Sequence, residues 1–400
     1  MKYIDNNPQR GIDYNWGQIR KEMKKLSIPT EYYNPITAPL DSDQWFVELS
    51  ERATGKTTGW LLLGMVMYQL YGTVTMYLRS RKDMIAPKNS SSLFNVIIEN
   101  GYIEKITGGK FNNVWYRSRK WYFCRIDEES GEIVEKADTY FCRMVSIDES
   151  TNLKSSLNEP TGDLVIFDEF ISVDRYQQAG EFVFLVDVIS TIFRLRECGK
   201  IVMLANTIDK YNQYFHDLEI FERISTMDIS DNCTHVTDRG TRIYIEFIGA
   251  PKAYRIKKSR WVRLFAGFKK PELASITGEA LWSVRNYQHI PEIPEDVELK
   301  TLYTNIYLYH NSKLVRFDIV NHSELGICIF AHWATQTHDD SIIITRNERY
   351  DNRYIHGLPA DRTVTKFLRK MISSNRVYYS ANDVGSFVQG YLNLCGFMVK

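Results

Sequence analysis

The chain has 400 residues, of which 44% are apolar and 25% charged. At roughly 150 residues per domain this predicts two or three domains, and it excludes disordered, collagen-like and disulfide-scaffold classes. Lys and Arg number 50 against 49 Asp and Glu, a net charge of +1, which excludes a globally basic nucleic-acid coat but leaves local patches open.

MKYIDNNPQR lacks the apolar run of a signal peptide. The longest apolar stretch, Trp60 to Tyr68, falls short of the ~20 residues that span a bilayer, so a soluble intracellular protein with no membrane partner is expected. Six scattered cysteines with no C-x-x-C pair fit a reducing compartment and argue against a structural zinc site. Residues 1–43 read as a connection punctuated by Asn34-Pro35 and Ala38-Pro39. QWFVEL (Gln44 to Leu49) reads as a buried strand, SERATGKT as a loop, Thr58 to Tyr71 as an apolar helix, and VTMYLRS (Val74 to Ser80) as a second strand. LVIFDE (Leu164 to Glu169) and KIVMLAN (Lys200 to Asn206) follow as buried strands, with a helix over Glu181 to Glu197 between them. IYIEFIG (Ile243 to Gly249) reads as a last, edge strand. This alternation predicts an α/β domain over residues 1–249 with a mainly parallel sheet.

Composition then changes. Ala253 to Lys270 is strongly basic, a helical segment follows near Pro271 to Tyr287, and IPEIPEDVE (Ile290 to Glu298) reads as a linker. Residues 250–297 are expected to form a small helical basic linker domain. In residues 298–400, YTNIYLYH, KLVRFDIV and GICIFAHW predict three strands in meander order, followed by mixed helical and extended segments.

The first chemical signal is Ser50-Glu51-Arg52-Ala53-Thr54-Gly55-Lys56-Thr57, a P-loop (Walker A) pattern whose first glycine is Ser50. Between a strand and a helix such a loop wraps phosphates with backbone N–H groups, its lysine reaches the β- and γ-phosphates, and its threonine completes a Mg²⁺ shell. Residues 50–57, with Thr58, are thus candidates for binding ATP; alone, the motif could equally be an ordinary turn with an exposed lysine. The second signal is Leu164-Val165-Ile166-Phe167-Asp168-Glu169, four apolar residues ending in two acids, the Walker B pattern. Asp168 can hold Mg²⁺ through water and Glu169 can act as general base on an attacking water. Adjacent like charges at the end of a buried strand have little structural rationale. The long interval from Lys56 to Asp168 leaves room for an extra strand, the arrangement of ASCE-type ATPases, whose catalytic glutamate lies on the Walker B strand. Asn206, ending the next strand, is placed to sense the γ-phosphate or orient the water. Arg194 and Arg196, at the end of the intervening helix, either complement its dipole or, for Arg194, reach a neighbouring subunit's nucleotide as an arginine finger. Lys154 is a further candidate for action in trans.

With these motifs in order, the sequence resembles the DNA packaging ATPases of phi29-like bacteriophages. The residues that carry the resemblance are YYNP (Tyr32 to Pro35), VIFDEFI (Val165 to Ile171), STIFRLRE (Ser190 to Glu197) and MLANTIDKYNQYF (Met203 to Phe215). The resemblance implies a homomeric, pentameric ring docked on the portal of a procapsid in the host cell cytoplasm, hydrolysing ATP with Mg²⁺ to drive double-stranded DNA inward. It assigns Lys56 and Thr57 to phosphates and Mg²⁺, Asp168 to Walker B, Glu169 to catalysis, Arg194 to the trans-acting finger, Lys154 to interfacial work and Asn206 to coupling. Arg79, Arg81 and Lys82, where the family has a similar basic run, are expected to grip DNA phosphates without reading bases. The denser patch with Lys257, Lys258 and Arg260 is expected to meet either DNA or a neighbouring subunit's acidic face. For residues 298–400 the resemblance implies an RNase H-like α+β domain. Its first strand lacks the expected acidic ligand, and Asp318, Asp339, Asp340 and Asp383 form no evident metal set. A vestigial nuclease used for docking to the portal or to a structural packaging RNA, with no nuclease activity, is therefore expected.

Two other classes fit the same motifs: another nucleic-acid-dependent P-loop ATPase such as a helicase, or a non-catalytic assembly factor whose P-loop has decayed at Ser50.

Overall fold

The structure is a computed structural model that describes residues 12–30, 32–50, 54–87, 92–149, 159–171, 181–194, 196–206, 212–249, 298–299, 305–310, 313–322, 324–346 and 351–395. The basic linker, with Lys257, Lys258 and Arg260, lies outside them, as do Glu51, Arg52, Ala53 and Lys154.

The first sheet is built from β1 (Trp45–Ser50), β2 (Thr75–Arg79), β3 (Asn113–Arg117), β4 (Lys120–Ile126), β5 (Ile133–Lys136), β6 (Cys142–Ser146), β7 (Leu164–Asp168), β8 (Lys200–Asn206), β9 (Asn232–Val236) and β10 (Arg242–Ile248). Its order is β3-β4-β6-β2-β7-β8-β1-β10-β9, with β5 added to β4. The strands from β6 to β10 along this path are parallel, whereas β3, β4, β5 and β9 are antiparallel additions at the two ends. The central strands read as unbroken apolar runs because both faces are covered: every residue of LVIFD in β7 is buried. β8 lies between β1 and β7, so the strand ending in Asn206 separates the strands that carry the two Walker-type patterns, an order consistent with that expected of an ASCE-type fold.

α1 (Trp16–Lys25) and α2 (Lys56–Tyr71) pack together on one face. The N-terminal region expected to be a mere connection therefore contributes a helix. Asn15 caps it by accepting from the Gln18 N–H at 3.0 Å, and Trp16, Ile19 and Met23 bury its apolar side. Each such side chain stabilises the fold by about 1.5–3 kcal/mol. α2 is apolar on all sides and buried from Gly59 to Met67. It approaches β2 so closely at Gly64 that a Cβ there would lie 2.1 Å from Thr75 Oγ1.

The interval between the two motifs has the room expected for an extra strand and holds, besides β2, the short helices α3 (Asn95–Glu99) and α4 (Tyr102–Thr107) and the β3–β6 extension. Two further expectations are corrected. The helix expected over Glu181 to Glu197, α5 (Glu181–Phe193), ends four residues early because Arg194 turns left-handed at φ 44°. β10 is not the sheet edge: β9, reached through α6 (Gln213–Asp217) and α7 (Phe221–Thr226), pairs outside it.

The second sheet comprises β11 (Glu298–Leu299), β12 (Ile306–His310), β13 (Lys313–His322), β14 (Gly326–Ala334), β15 (Ile342–Thr345), β16 (Tyr354–His356) and β17 (Val377–Tyr379), ordered β16-β15-β12-β13-β14-β17 with β11 on β13. The β12–β13–β14 meander matches the sequence reading. α8 (Thr363–Ser373) and α9 (Asn382–Leu394) complete this unit. Among the described residues, no helix is long and apolar enough to cross a membrane.

Candidate nucleotide site

Ser50 ends β1 and Lys56 begins α2, with Gly55 between them at φ 84°, a left-handed value that glycine adopts without strain. The positive end of α2 and its unbonded N–H groups therefore face the carboxyl edge of the sheet. A cavity of about 370 Å³ opens there, lined by Thr54, Gly55, Lys56, Thr57, Thr58, Asp168, Glu169, Ala205 and Asn206. Two strand ends, those of β7 and β8, and the start of α2 thus converge on one space, lined by Lys56 and Thr57 of the first motif, Asp168 and Glu169 of the second, and Asn206.

Lys56 is buried, and its Nζ donates to Ser50 Oγ and, at 3.4 Å, to Asn206 Oδ1. Burial lowers the Lys56 pKa to about 8, against the opposing pull of Asp168, Glu48 and Glu169. Ser50 also lies 2.8 Å from Thr54 Oγ1. Being the last residue of β1, paired with Asn206 and Ile248 in its neighbours, it has an extended backbone that does not require glycine. The degenerate first position of the motif is thus a hydroxyl that holds the lysine.

Asp168 is the hub. Its Oδ2 accepts from Thr57 Oγ1 at 2.9 Å and from Tyr77 Oη at 2.6 Å, and its Oδ1 accepts from the Glu169 N–H at 2.9 Å. Burial, and then the Asp168 charge, raise the Tyr77 pKa well above its ordinary value, so this phenol stays a donor. Glu169 leaves the strand at φ 55°, half-exposed, with its carboxylate directed to Arg79.

Arg79 requires a correction. Expected with Arg81 and Lys82 at the DNA, it is turned inward: its side chain is 16% exposed, it pairs with Glu169, and its Nη2 lies 3.8 Å from Asp168 Oδ2. It also stacks over Tyr77 at 5.4 Å. The reason is register: β2 lies beside β7, with Leu78 opposite Phe167, so the next residue of β2 meets the acids that end β7. Arg81 and Lys82 do stay at the surface, paired with Asp83 at 2.5 Å and Glu149 at 3.1 Å.

Arg194 is exposed at the end of α5 and does not line the cavity of its own chain. Arg196 is accounted for structurally: its Nε lies 2.7 Å from the buried Asp163.

Beneath the turn lies a polar group that sequence reasoning missed. Glu48 of β1 is fully buried opposite Glu246 of β10. The Tyr33 hydroxyl lies 2.5 Å from Glu48 Oε1 and 3.2 Å from Glu246 Oε2, and the Tyr33 N–H donates to the Thr54 carbonyl at 2.9 Å. Burial, then the neighbouring Glu246, push the Glu48 pKa up to about 8, so this acid holds its proton near neutrality. A glutamate inside QWFVEL was the available signal. A larger cavity, of about 650 Å³, opens beside Trp16, Asp41, Lys200 and Arg242. Two of its cations are already committed, Arg242 to Asp43 at 2.7 Å and Lys200 to the Asp43 carbonyl at 2.7 Å.

No family model matches the sequence, and no curated protein does. Two solved structures share the fold along nearly the whole chain. The Phi-28 gp11 DNA packaging motor is 16% identical, with a TM-score of 0.55, over 92% of this chain and 99% of that one. The bacteriophage Phi-29 viral genome packaging motor assembly is 15% identical, with a TM-score of 0.52, over 92% of this chain and 100% of that one. At these identities the likeness is one of fold, an α/β architecture with a mostly parallel sheet.

Proposed function

We propose that the chain is the ATP-hydrolysing subunit of a viral genome packaging motor that drives double-stranded DNA into a procapsid. The observation that carries this reading is the convergence of Lys56, Thr57, Asp168, Glu169 and Asn206 on one cavity at the positive end of α2. Its support is the fold shared with two packaging motors.

The residues fit a magnesium nucleotide. Thr57 Oγ1 and Asp168 Oδ2, 2.9 Å apart, are the hydroxyl and carboxylate that would hold a hydrated Mg²⁺, which would neutralise phosphate charge. Lys56, with its stem buried, presents an amine that exchanges Ser50 and Asn206 for phosphate oxygens. Glu169 is the general base: placed beyond the strand end and half-exposed, it can take a proton from a water lying between itself and the γ-phosphate. Asn206 orients that water. Arg194, exposed and away from its own cavity, acts on a neighbouring subunit's nucleotide, with Lys154 as a second cation in trans. This implies a homo-oligomeric ring, pentameric, docked on the portal in the host cytoplasm, with or without a structural packaging RNA.

For residues 298–400 the reading is an RNase H-like docking domain. The antiparallel β12–β13–β14 meander flanked by β15 parallel to β12 supports it. Asp318, the acid within the meander, is engaged by Arg316 at 2.8 Å and His332 at 2.8 Å, which supports docking over nuclease chemistry.

The test is Glu169→Gln. Nucleotide binding should persist while turnover in the presence of DNA and procapsids falls by at least about a hundredfold; surviving turnover would remove Glu169 from catalysis. Mixing Arg194→Ala with Glu169→Ala subunits should restore hydrolysis in mixed rings. Absence of rescue in demonstrably mixed oligomers would exclude action in trans, and unwinding of a duplex would favour a helicase.

A further inference from the structure

The antiparallel extension β3–β4–β5 carries aromatic residues on both faces. Those on the inner face are explained by packing: Trp121 and Phe123 are buried, against Phe94 and Phe141. The outer face is not. Trp115 and Tyr122 stand directly opposite one another across β3 and β4, with ring centroids 5.4 Å apart, both half-buried, and neither belongs to a hydrophobic core. Tyr140 continues the row, 5.9 Å from Tyr122.

Cations lie on these rings. Lys136 Nζ sits 3.9 Å from the Trp115 ring centre, Arg117 5.7 Å from the same ring, and Lys120 Nζ 4.0 Å from that of Tyr140. Arg117 and Lys120 are register partners, and Lys136 is paired with Cys124 on the same face. None of the three makes an ion pair among the described residues. Glu159, the acid against Tyr140, is buried and already engaged by Tyr140 at 2.6 Å and Arg143 at 3.8 Å. The cations of this face are therefore held in place by rings rather than by carboxylates.

We propose that this outer face of β3–β5 binds single-stranded nucleic acid. Phosphates would draw Lys120, Lys136 and Arg117 off the rings, and the uncovered faces of Trp115 and Tyr140 would then accept bases. Such a platform combines the two parts that single-strand binders use, a cationic track and stacking rings. A duplex keeps its bases stacked and offers only phosphates, so it would leave the rings without a role. This surface is separate from the nucleotide cavity, and the proposal stands whether or not that cavity hydrolyses ATP.

The experiment uses the full chain and a fluorescein-labelled oligouridine RNA of about 10 nucleotides, a length within the range of site sizes of single-strand binding folds. Fluorescence anisotropy should show saturable binding that an unlabelled duplex DNA of similar length competes for only weakly. Trp115→Leu should weaken it by about 5- to 150-fold, while Trp115→Phe, which keeps a ring, stays near wild type. The Lys120→Gln, Lys136→Gln double variant should also reduce the dependence of log affinity on log salt by about 1.4. Circular dichroism melts of each variant establish folding, and Trp115→Phe keeps the test decisive if Trp115→Leu is unstable. The proposal is overturned if the RNA does not bind, if duplex competes as well as single strand, or if Trp115→Leu folds and binds normally. Loss of self-association in Trp115→Leu with RNA binding intact would assign the face to another copy of the chain.

Discussion

Arg79 at the end of β2 is ion-paired with Glu169, the residue just beyond the end of β7. The cation therefore bears on the carboxylate proposed as general base and on Asp168 at once, and its removal takes away a charge that both acids face. Arg79→Ala is expected to destabilise the protein by about 1–3 kcal/mol and to lower turnover by at least tenfold. Affinity for duplex DNA should be unchanged. Denaturant titration, steady-state hydrolysis and DNA binding measured side by side decide the matter: lost DNA affinity with normal turnover would return Arg79 to the DNA-gripping role read from the sequence.

Lys56 gives a pH signature. Burial lowers its pKa to about 8, so above that pH the amine is neutral, and binding a triphosphate must restore its proton. Affinity for a nonhydrolysable ATP analogue is expected to fall by up to about tenfold per pH unit above 8. Calorimetry at pH 9 in buffers of different ionisation enthalpy should register proton uptake, which Lys56→Met would abolish.

Ser50→Ala removes the acceptor that holds Lys56 and the partner of Thr54. Stability should drop by about 1 kcal/mol. Nucleotide affinity should hold or rise, because phosphate no longer competes with the serine for the amine. Thermal melts and analogue titration report the two effects separately; a collapse of binding would mean that the hydroxyl itself contacts nucleotide.

Glu48 titrates in the opposite sense to an ordinary surface acid. Its folded pKa is raised to about 8 by burial and Glu246, so its favourable contribution is complete below the unfolded value and is lost as pH rises toward 8. Glu48→Gln should remove that loss. Relative to wild type, the variant is expected to gain a few kcal/mol, to order of magnitude, between pH 5 and pH 8. Urea unfolding at the two pH values measures the difference, and equal slopes would mean that Glu48 is already ionised in the fold.

The local motifs were legible because their chemistry is contiguous in sequence. KIVMLAN is β8 to the residue, and Lys56, Thr57, Asp168 and Asn206 line one cavity as their spacing suggested. What sequence could not supply was strand adjacency. Arg79 lies in a basic run that reads as a surface, and only the pairing of β2 with β7 turns it toward Glu169. Glu48 and Glu246 are far apart in the chain, so their confrontation depends on β10 lying beside β1. Tyr77 looked like one more apolar residue of VTMYLRS until its hydroxyl met Asp168. α1 was hidden by the prolines that follow it, which drew the whole N-terminal stretch toward a loop.

Glu169 and Arg194 both occupy left-handed backbone, at φ 55° and 44°. A side chain there costs about 1–3 kcal/mol that glycine would not. Any search for heat-resistant variants would consequently drift toward glycine at these two positions and, on the roles proposed for the two side chains, return sturdier, inert proteins. In this chain the wish for durability and the demand for work pull on the same two bends.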